Sequence, residues 1–159
     1  MAPRPLPHPV LCLVTDRRLC LDAPLASKVS QAIEGGVNMV QIREKDILSE
    51  RLLELSQEIR QAIDGRALLM INGRIDVAIA CRADGIHLAE DGLELSVLRR
   101  IAGDDFLVGR SVHSLEGALR AQNEGVDYLM AGTIFETSSH PGYLSAGLSF
   151  LRELRSAVR

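Results

Sequence analysis

Glu34-Gly-Gly-Val-Asn-Met-Val40 and Glu124-Gly-Val-Asp-Tyr-Leu-Met130 follow one pattern: the end of a helix, glycine, a polar residue, and then a short apolar run. The first segment continues as Gln41-Ile-Arg-Glu-Lys45, so its apolar run turns polar at the C-terminal end. Short runs of this kind are typical of strands that are buried on both faces of a sheet. The pattern therefore predicts parallel strands that alternate with helices.

Six such strands and six amphipathic helical stretches alternate along the chain. The predicted strands are 11–15, 39–42, 68–71, 85–88, 106–108 and 128–131, and the predicted helices are 25–34, 50–63, 74–81, 93–101, 115–124 and 148–158. The polar strand ends, and a first turn without glycine, favour a (β/α)8 TIM barrel over an open doubly wound sheet. We therefore predict one α/β barrel domain over residues 11–159 that lacks the last two β/α units. A proline-rich tail over residues 1–10 precedes it.

The composition of the 159-residue chain is that of an ordinary globular protein. Hydrophobic residues make up 47%, charged residues 25%, and the net charge is −3, which argues against disorder and against nucleic-acid binding. No apolar stretch reaches the roughly 18 residues of a membrane span, and the N-terminus does not resemble a signal peptide. These features predict a cytoplasmic protein without a membrane partner. The open strand edges of an incomplete barrel predict a homo-oligomer.

Polar residues follow each predicted strand, at the end where parallel barrels bind their ligands. Arg43 and Lys45 can hold a phosphate, and Gln41 is expected on the same face of the strand. The alternative is that this segment is a solvated run of charges, and Asn72 could likewise merely satisfy backbone groups in a turn. The candidate ligand-binding residues are Gln41, Arg43, Lys45, Asn72, His87, Ser111, Thr133, Thr137 and Ser139.

Histidines and carboxylates at the same strand ends have more than one interpretation. His87 and His113 are candidates for acid–base chemistry, although a lone histidine at a strand end is more often a structural hydrogen-bonding group. Asp76, Glu90 and Asp91 could bind a metal, but carboxylates are common in the first turn of helices for electrostatic reasons alone. We therefore predict no metal site from these residues.

Five segments, in order, resemble the signature blocks of the thiamine phosphate synthase/TenI superfamily. They are Val40-Gln-Ile-Arg-Glu-Lys45, Ile71-Asn-Gly-Arg-Ile-Asp76, Gly85-Ile-His-Leu88, Val108-Gly-Arg-Ser-Val-His-Ser114 and Ala131-Gly-Thr-Ile-Phe-Glu-Thr137. The resemblance implies a (β/α)8 barrel that acts on small phosphate-bearing molecules. In this family a thiazole phosphate is held by loops after strands that have no counterpart here.

One branch of the superfamily joins hydroxymethylpyrimidine pyrophosphate to thiazole phosphate. The resemblance implies that pyrophosphate leaves a stabilised pyrimidine cation, which the thiazole nitrogen then attacks. Two aspartates hold Mg²⁺ on the leaving group in that branch, and their positions are Gly73 and Gly92 in this chain. This synthase activity, with Mg²⁺ as cofactor, is therefore the second interpretation.

The TenI branch moves a proton to aromatise a thiazole carboxylate phosphate, and that chemistry needs no metal or other cofactor. The segment Met70-Ile-Asn-Gly-Arg74 and the two later blocks are similar to this branch. The family's catalytic histidine corresponds to Thr133, so His140 and His113 are the candidate catalytic residues by proximity. We expect a TenI-like enzyme acting on thiazole phosphate. A non-catalytic protein that binds thiazole or thiamine phosphate for regulation is the third interpretation.

Overall fold

Strands and helices alternate strictly in the computed structural model, which describes residues 5–137 and 145–159. The strands are β1 (Cys12–Val14), β2 (Met39–Ile42), β3 (Leu68–Asn72), β4 (Gly85–Leu88), β5 (Leu107–Val112) and β6 (Tyr128–Ala131). The helices are α1 (Leu25–Glu34), α2 (Ser49–Ile63), α3 (Ile75–Ala80), α4 (Leu95–Ala102), α5 (Leu115–Glu124) and α6 (Gly147–Ala157), with a short 3₁₀ helix at Arg17–Leu19. The predicted α/β class and all six strand–helix pairs are confirmed.

The chain groups into two compact units. The first comprises residues up to His87 together with Ala102–Leu107, and the second comprises Leu88–Ile101 and Val108–Arg159. That the whole forms one domain stays a prediction. None of the described helices is both long enough and apolar enough to cross a membrane.

In the first unit, β1, β2, β3 and β4 pair side by side and all run parallel. Val40 and Ile42 of β2 belong to a core cluster with residues of α1 and α2, such as Val29 and Ile59. Because strand side chains alternate between faces, the next residue, Gln41, lies on the face opposite the helices. The strands thus have one apolar face against α1 and α2, and a second face on which polar side chains can gather.

In the second unit, β5 pairs in parallel with β6. Val112 packs with Ala118 and Ala121 of α5 and with Leu154 of α6. The bounds of α5 are those that the sequence predicted, 115–124. Ser114 accepts a hydrogen bond from the backbone N–H of Gly117, and Gly125 closes the helix at a left-handed φ of 88°.

Gly109 of β5 has no space for a side chain, because the ring of Tyr128 covers it. A Cβ at this position would lie 2.0 Å from the Tyr128 ring, and the two residues are direct partners in the strand register. The glycine therefore lets one of the chain's few aromatic side chains close over β5.

Candidate functional site

A row of three polar side chains crosses β2, β3 and β4 in the first unit. Asn72 pairs with His87 in the register of β3 and β4, and the Gln41 Nε2 group donates a 3.1 Å hydrogen bond to Asn72 Oδ1. Gln41 and His87 are each only 2% exposed. The three side chains thus lie beside one another, as the sequence predicted for residues at the C-terminal ends of parallel strands.

The Gln41 side chain carries an unused acceptor inside this row. Its Oε1 atom is buried and has no hydrogen-bond partner among residues 5–137 and 145–159. Leaving such a buried acceptor unpaired costs about 1–3 kcal/mol. A ligand that donates a hydrogen bond at this point would remove the cost, so the row has the character of a binding surface for a polar ring.

His87 is held in its neutral form. Burial lowers the pKa of its imidazole from 6.5 to about 4, because the charged form is poorly solvated there. At neutral pH the side chain therefore adds hydrogen-bonding atoms to the row without adding positive charge.

The lowered pKa of His87 should make the free energy of unfolding depend on pH. The unfolded chain takes up the His87 proton as pH falls below 6.5, whereas the folded chain resists until about pH 4. The stabilising contribution is therefore complete above pH 6.5 and is lost between pH 6.5 and pH 4. We expect His87→Gln to reduce the difference in unfolding free energy between pH 7.5 and pH 4.5 by about 2–3 kcal/mol, measured by urea denaturation. An unchanged difference would contradict a neutral, buried His87.

A cavity of about 220 Å³ lies beside the C-terminal ends of β2 and β3. Its lining residues are Ile42, Glu44, Lys45, Ile47, Leu52, Asn72, Gly73 and Arg74. β2 ends at Ile42, so the predicted alternation of Gln41, Arg43 and Lys45 on one face of the strand does not continue; Lys45 instead lines this cavity with Ile42. Within the described part of the chain, the Arg43 guanidinium and the Lys45 ammonium have no hydrogen-bond or ion-pair partner. Both cations are therefore available to an anion.

The remaining site residues that the structure describes lie in the second unit. Ser111 is half-buried on β5 and pairs with Met130 in the register. His113 is exposed, its Nδ1 atom lies 2.5 Å from the Gly132 carbonyl oxygen, and it lines a cavity of about 420 Å³ with Ala89, Glu90, Asp91 and Arg120. Thr133 is half-buried and Thr137 is exposed. Ser139 and His140 lie outside the described residues, so their predicted roles are untested.

Two buried charged groups were not among the predicted site residues. Glu44 is 5% exposed and binds Thr15 and Arg17 on the segment after β1. Arg110 of β5 is 4% exposed and donates to the backbone carbonyls of Glu90 and Leu93. No local pattern indicates either role, because their partners are far away along the chain.

The Glu90 side chain reaches the N-terminus of α5. Its Oε1 atom accepts a 3.3 Å hydrogen bond from the Ser114 hydroxyl, and a Cβ at Gly117 would collide with the same oxygen. A carboxylate at a helix N-terminus is electrostatically stabilised. Glu90 therefore has a structural role that does not depend on a metal.

The residues present do not fit the Mg²⁺ site that the family resemblance implies. No group of three or more His, Cys, Asp or Glu side chains in the described ranges could hold a metal ion. Gly73 has open space around its Cβ position, whereas a Cβ at Gly92 would lie 3.0 Å from the Ala89 carbonyl oxygen. The acidic residues near the cavity, Glu44 and Asp46, are both paired with Arg17.

Comparisons with known proteins agree on one family. A family model described as thiamine monophosphate synthase matches residues 11–159. The thiamine-phosphate synthase of Clostridium tetani is 38% identical over 93% of this chain and 71% of its own length. That of Pyrococcus horikoshii is 39% identical over 94% of this chain and 70% of its own length.

Among solved structures, thiamine phosphate pyrophosphorylase from Pyrococcus furiosus is similar with a TM-score of 0.82 and 36% identity. The similarity covers 94% of this chain and 71% of that structure. The expectation of a TenI-like tautomerase is therefore wrong. The two curated relatives are named thiamine-phosphate synthase and the solved structure thiamine phosphate pyrophosphorylase, and these names support the second interpretation.

Proposed function

Because this chain belongs to the thiamine monophosphate synthase family, we propose that it joins hydroxymethylpyrimidine pyrophosphate to thiazole phosphate, forming thiamine phosphate and pyrophosphate. The observation that carries the proposal is the buried row of Gln41, Asn72 and His87 at the same strand ends as two cations, Arg43 and Lys45, whose side chains have no partner within the described ranges. A polar row suits the pyrimidine ring, and the cations suit its pyrophosphate.

The proposed reaction separates charge. The bond between the pyrimidine methylene carbon and the pyrophosphate oxygen breaks, and both of its electrons leave with pyrophosphate. The thiazole nitrogen then supplies the electron pair for the new carbon–nitrogen bond, which makes the thiazolium of the product. Negative charge grows on the leaving group while positive charge grows on the pyrimidine, so the site must stabilise both.

Arg43 and Lys45 stabilise the leaving group in this proposal. A guanidinium can hold two phosphate oxygens at once, and an ammonium adds a compact positive charge. As negative charge builds up on the bridging oxygen, the attraction strengthens, and such an interaction lowers the barrier rather than only improving binding.

The polar row holds the pyrimidine in this proposal. Gln41 Oε1 accepts a hydrogen bond from the ring's amino group, which gives this buried oxygen the partner that it lacks. Asn72 fixes the amide of Gln41 through their hydrogen bond. Neutral His87 does not repel the pyrimidine cation, as an imidazolium at the same place would.

The second substrate in this proposal is the small-molecule phosphate, thiazole phosphate. The hydroxyl groups of Ser111, Thr133, Thr137 and Ser139 are proposed to bind it. We also propose that the six strand–helix pairs are the first six of a (β/α)8 barrel, the arrangement that the family resemblance implies.

Magnesium is not assigned a site on this chain, because glycine replaces the family's two metal-binding aspartates. A pyrophosphate needs counter-charge wherever it leaves, and the cations Arg43 and Lys45 are the groups here that can supply it. Any Mg²⁺ that the reaction uses would be carried by the pyrophosphate itself.

Product formation tests the proposed function directly. The purified chain is incubated with hydroxymethylpyrimidine pyrophosphate and thiazole phosphate, with and without Mg²⁺, and thiamine phosphate is separated by chromatography. We expect product only when both substrates are present, together with an equal amount of released pyrophosphate. A folded chain that forms no product from the complete mixture would contradict the proposal.

A further inference from the structure

Glu44 stands between Arg43 and Lys45 in the sequence, yet neither cation is among the groups that its carboxylate binds in the described part of the chain. Its side chain is only 2% exposed. Oε1 accepts hydrogen bonds from the Thr15 hydroxyl at 2.8 Å and from the Arg17 backbone N–H at 3.0 Å. Oε2 accepts from Arg17 Nη1 at 2.9 Å. The carboxylate is thus fully occupied by the segment that follows β1.

The same guanidinium holds a second carboxylate. Arg17 Nη1 and Nη2 donate to the two oxygens of Asp46 at 2.6 and 2.8 Å, as a fork. These hydrogen bonds lower the pKa of Asp46 to about 2. One arginine therefore neutralises the acidic residue on each side of Lys45.

Thr15 links this cluster to the other cation. Its hydroxyl oxygen accepts a 3.1 Å hydrogen bond from the backbone N–H of Arg43 while its proton goes to Glu44. The backbone at Arg43 is therefore fixed to the same cluster, in which Glu44 and Asp46 are both paired with Arg17.

We propose that Arg17 is a positioning residue that sequesters Glu44 and Asp46, so that Arg43 and Lys45 stay free to bind pyrophosphate. The inference rests on the proposed function, because it concerns the same anion. Asp46 is the next residue after Lys45 and is half-exposed. Without Arg17 it would compete with pyrophosphate for Lys45 at the high effective concentration of an intramolecular partner.

Inorganic pyrophosphate binding, measured by isothermal titration calorimetry, tests the inference. We expect Arg17→Met to raise the Kd about tenfold, and the double variant Arg17→Met/Asp46→Asn to return it to within about threefold of the unaltered chain. Asp46→Asn alone should change the Kd less than about twofold, because Arg17 already neutralises that carboxylate. Arg18→Met is the matched control, since Arg18 makes a comparable fork to Asp16 at 2.8 and 2.8 Å on the protein surface.

The outcomes distinguish sequestration of Glu44 and Asp46 from a merely structural role of Arg17 and from a general charge effect. A Kd that Arg17→Met leaves unchanged would overturn the inference alone. A loss that Asp46→Asn does not restore would make Arg17 merely structural, and a thermal melt would show the matching instability. If Asp46→Asn lowered the Kd for pyrophosphate equally with and without Arg17, the effect would be one of general charge. That result would also overturn the inference. An unaltered chain that binds no pyrophosphate would overturn the proposed function as well.

Discussion

Lys45→Met is expected to lower kcat/KM for thiamine phosphate formation by about 100- to 1,000-fold, the usual loss when one preorganised electrostatic contact to a developing charge is removed. The ammonium lines the cavity beside β2 and β3 and has no partner in the described part of the protein. Its attraction to pyrophosphate grows as the carbon–oxygen bond breaks. Most of the loss should therefore appear in kcat rather than in KM.

The chain contains one other lysine, and it provides the control. Lys28 on α1 forms an exposed ion pair with Asp22 at 2.8 Å, and Lys28→Met should change kcat/KM less than about twofold. Lys45→Arg should recover part of the rate, because it keeps the charge but not the shape of the ammonium. If Lys45→Met were as active as Lys28→Met, Lys45 would have no part in pyrophosphate departure.

Structural features that are determined by residues close together in the sequence could be predicted. Ser114 and Gly125 bound α5 because a hydroxyl caps its first turn and only glycine readily takes the left-handed φ that ends it. The polar row could be predicted for a similar reason, since parallel strands bring their C-terminal ends together. Boundaries were less certain: β5 runs on to Val112, four residues past its predicted end, because polar Arg110 and Ser111 were assigned to the following loop.

The hydrogen bonds and ion pairs of Glu44 have causes that a local pattern does not contain. Thr15 and Glu44 are 29 residues apart in sequence, and the charged run from Arg43 to Asp46 is indistinguishable from a solvated surface segment until Arg17 is placed beside it. The sequence alone therefore leaves two alternatives open, a phosphate-binding segment and a solvated run of charged residues. The structure shows that the two acidic members of that run, Glu44 and Asp46, pair with Arg17.

The expectation of the TenI branch rests on a physical reason that does not hold, namely that two glycines at the metal-binding positions disfavour a pyrophosphate leaving group. The loss of a carboxylate removes a metal ligand. The pyrophosphate leaving group needs positive charge, and arginine or lysine can supply that charge. Gly73 and Gly92 are therefore compatible with the synthase reaction that the relatives' names indicate.

Arg110→Met is expected to lower the free energy of unfolding by about 3 kcal/mol. The guanidinium is buried on the helix-facing side of β5. It donates to the Glu90 and Leu93 carbonyl oxygens at 3.2 and 2.7 Å and pairs with Glu124 at 3.1 Å. Methionine fills a similar volume but supplies no donor. Two backbone acceptors and one carboxylate would then lose their partner at once.

Urea denaturation followed by circular dichroism measures the effect, with Arg120→Met as the matched control. Arg120 pairs with Glu116 along the exposed surface of α5 at 3.7 Å, and such a pair contributes no more than about 0.5 kcal/mol. Arg110→Lys should fall between the two, because one ammonium cannot reach all three acceptors. The Arg110 Nε atom is buried with no partner in the described residues, so this side chain already carries a desolvation cost. If Arg110→Met lowered the free energy of unfolding as little as Arg120→Met, the desolvation cost of Arg110 would cancel the gain from its other three contacts. The segment after β4 would then be fixed by the contact of Glu90 with the start of α5 instead.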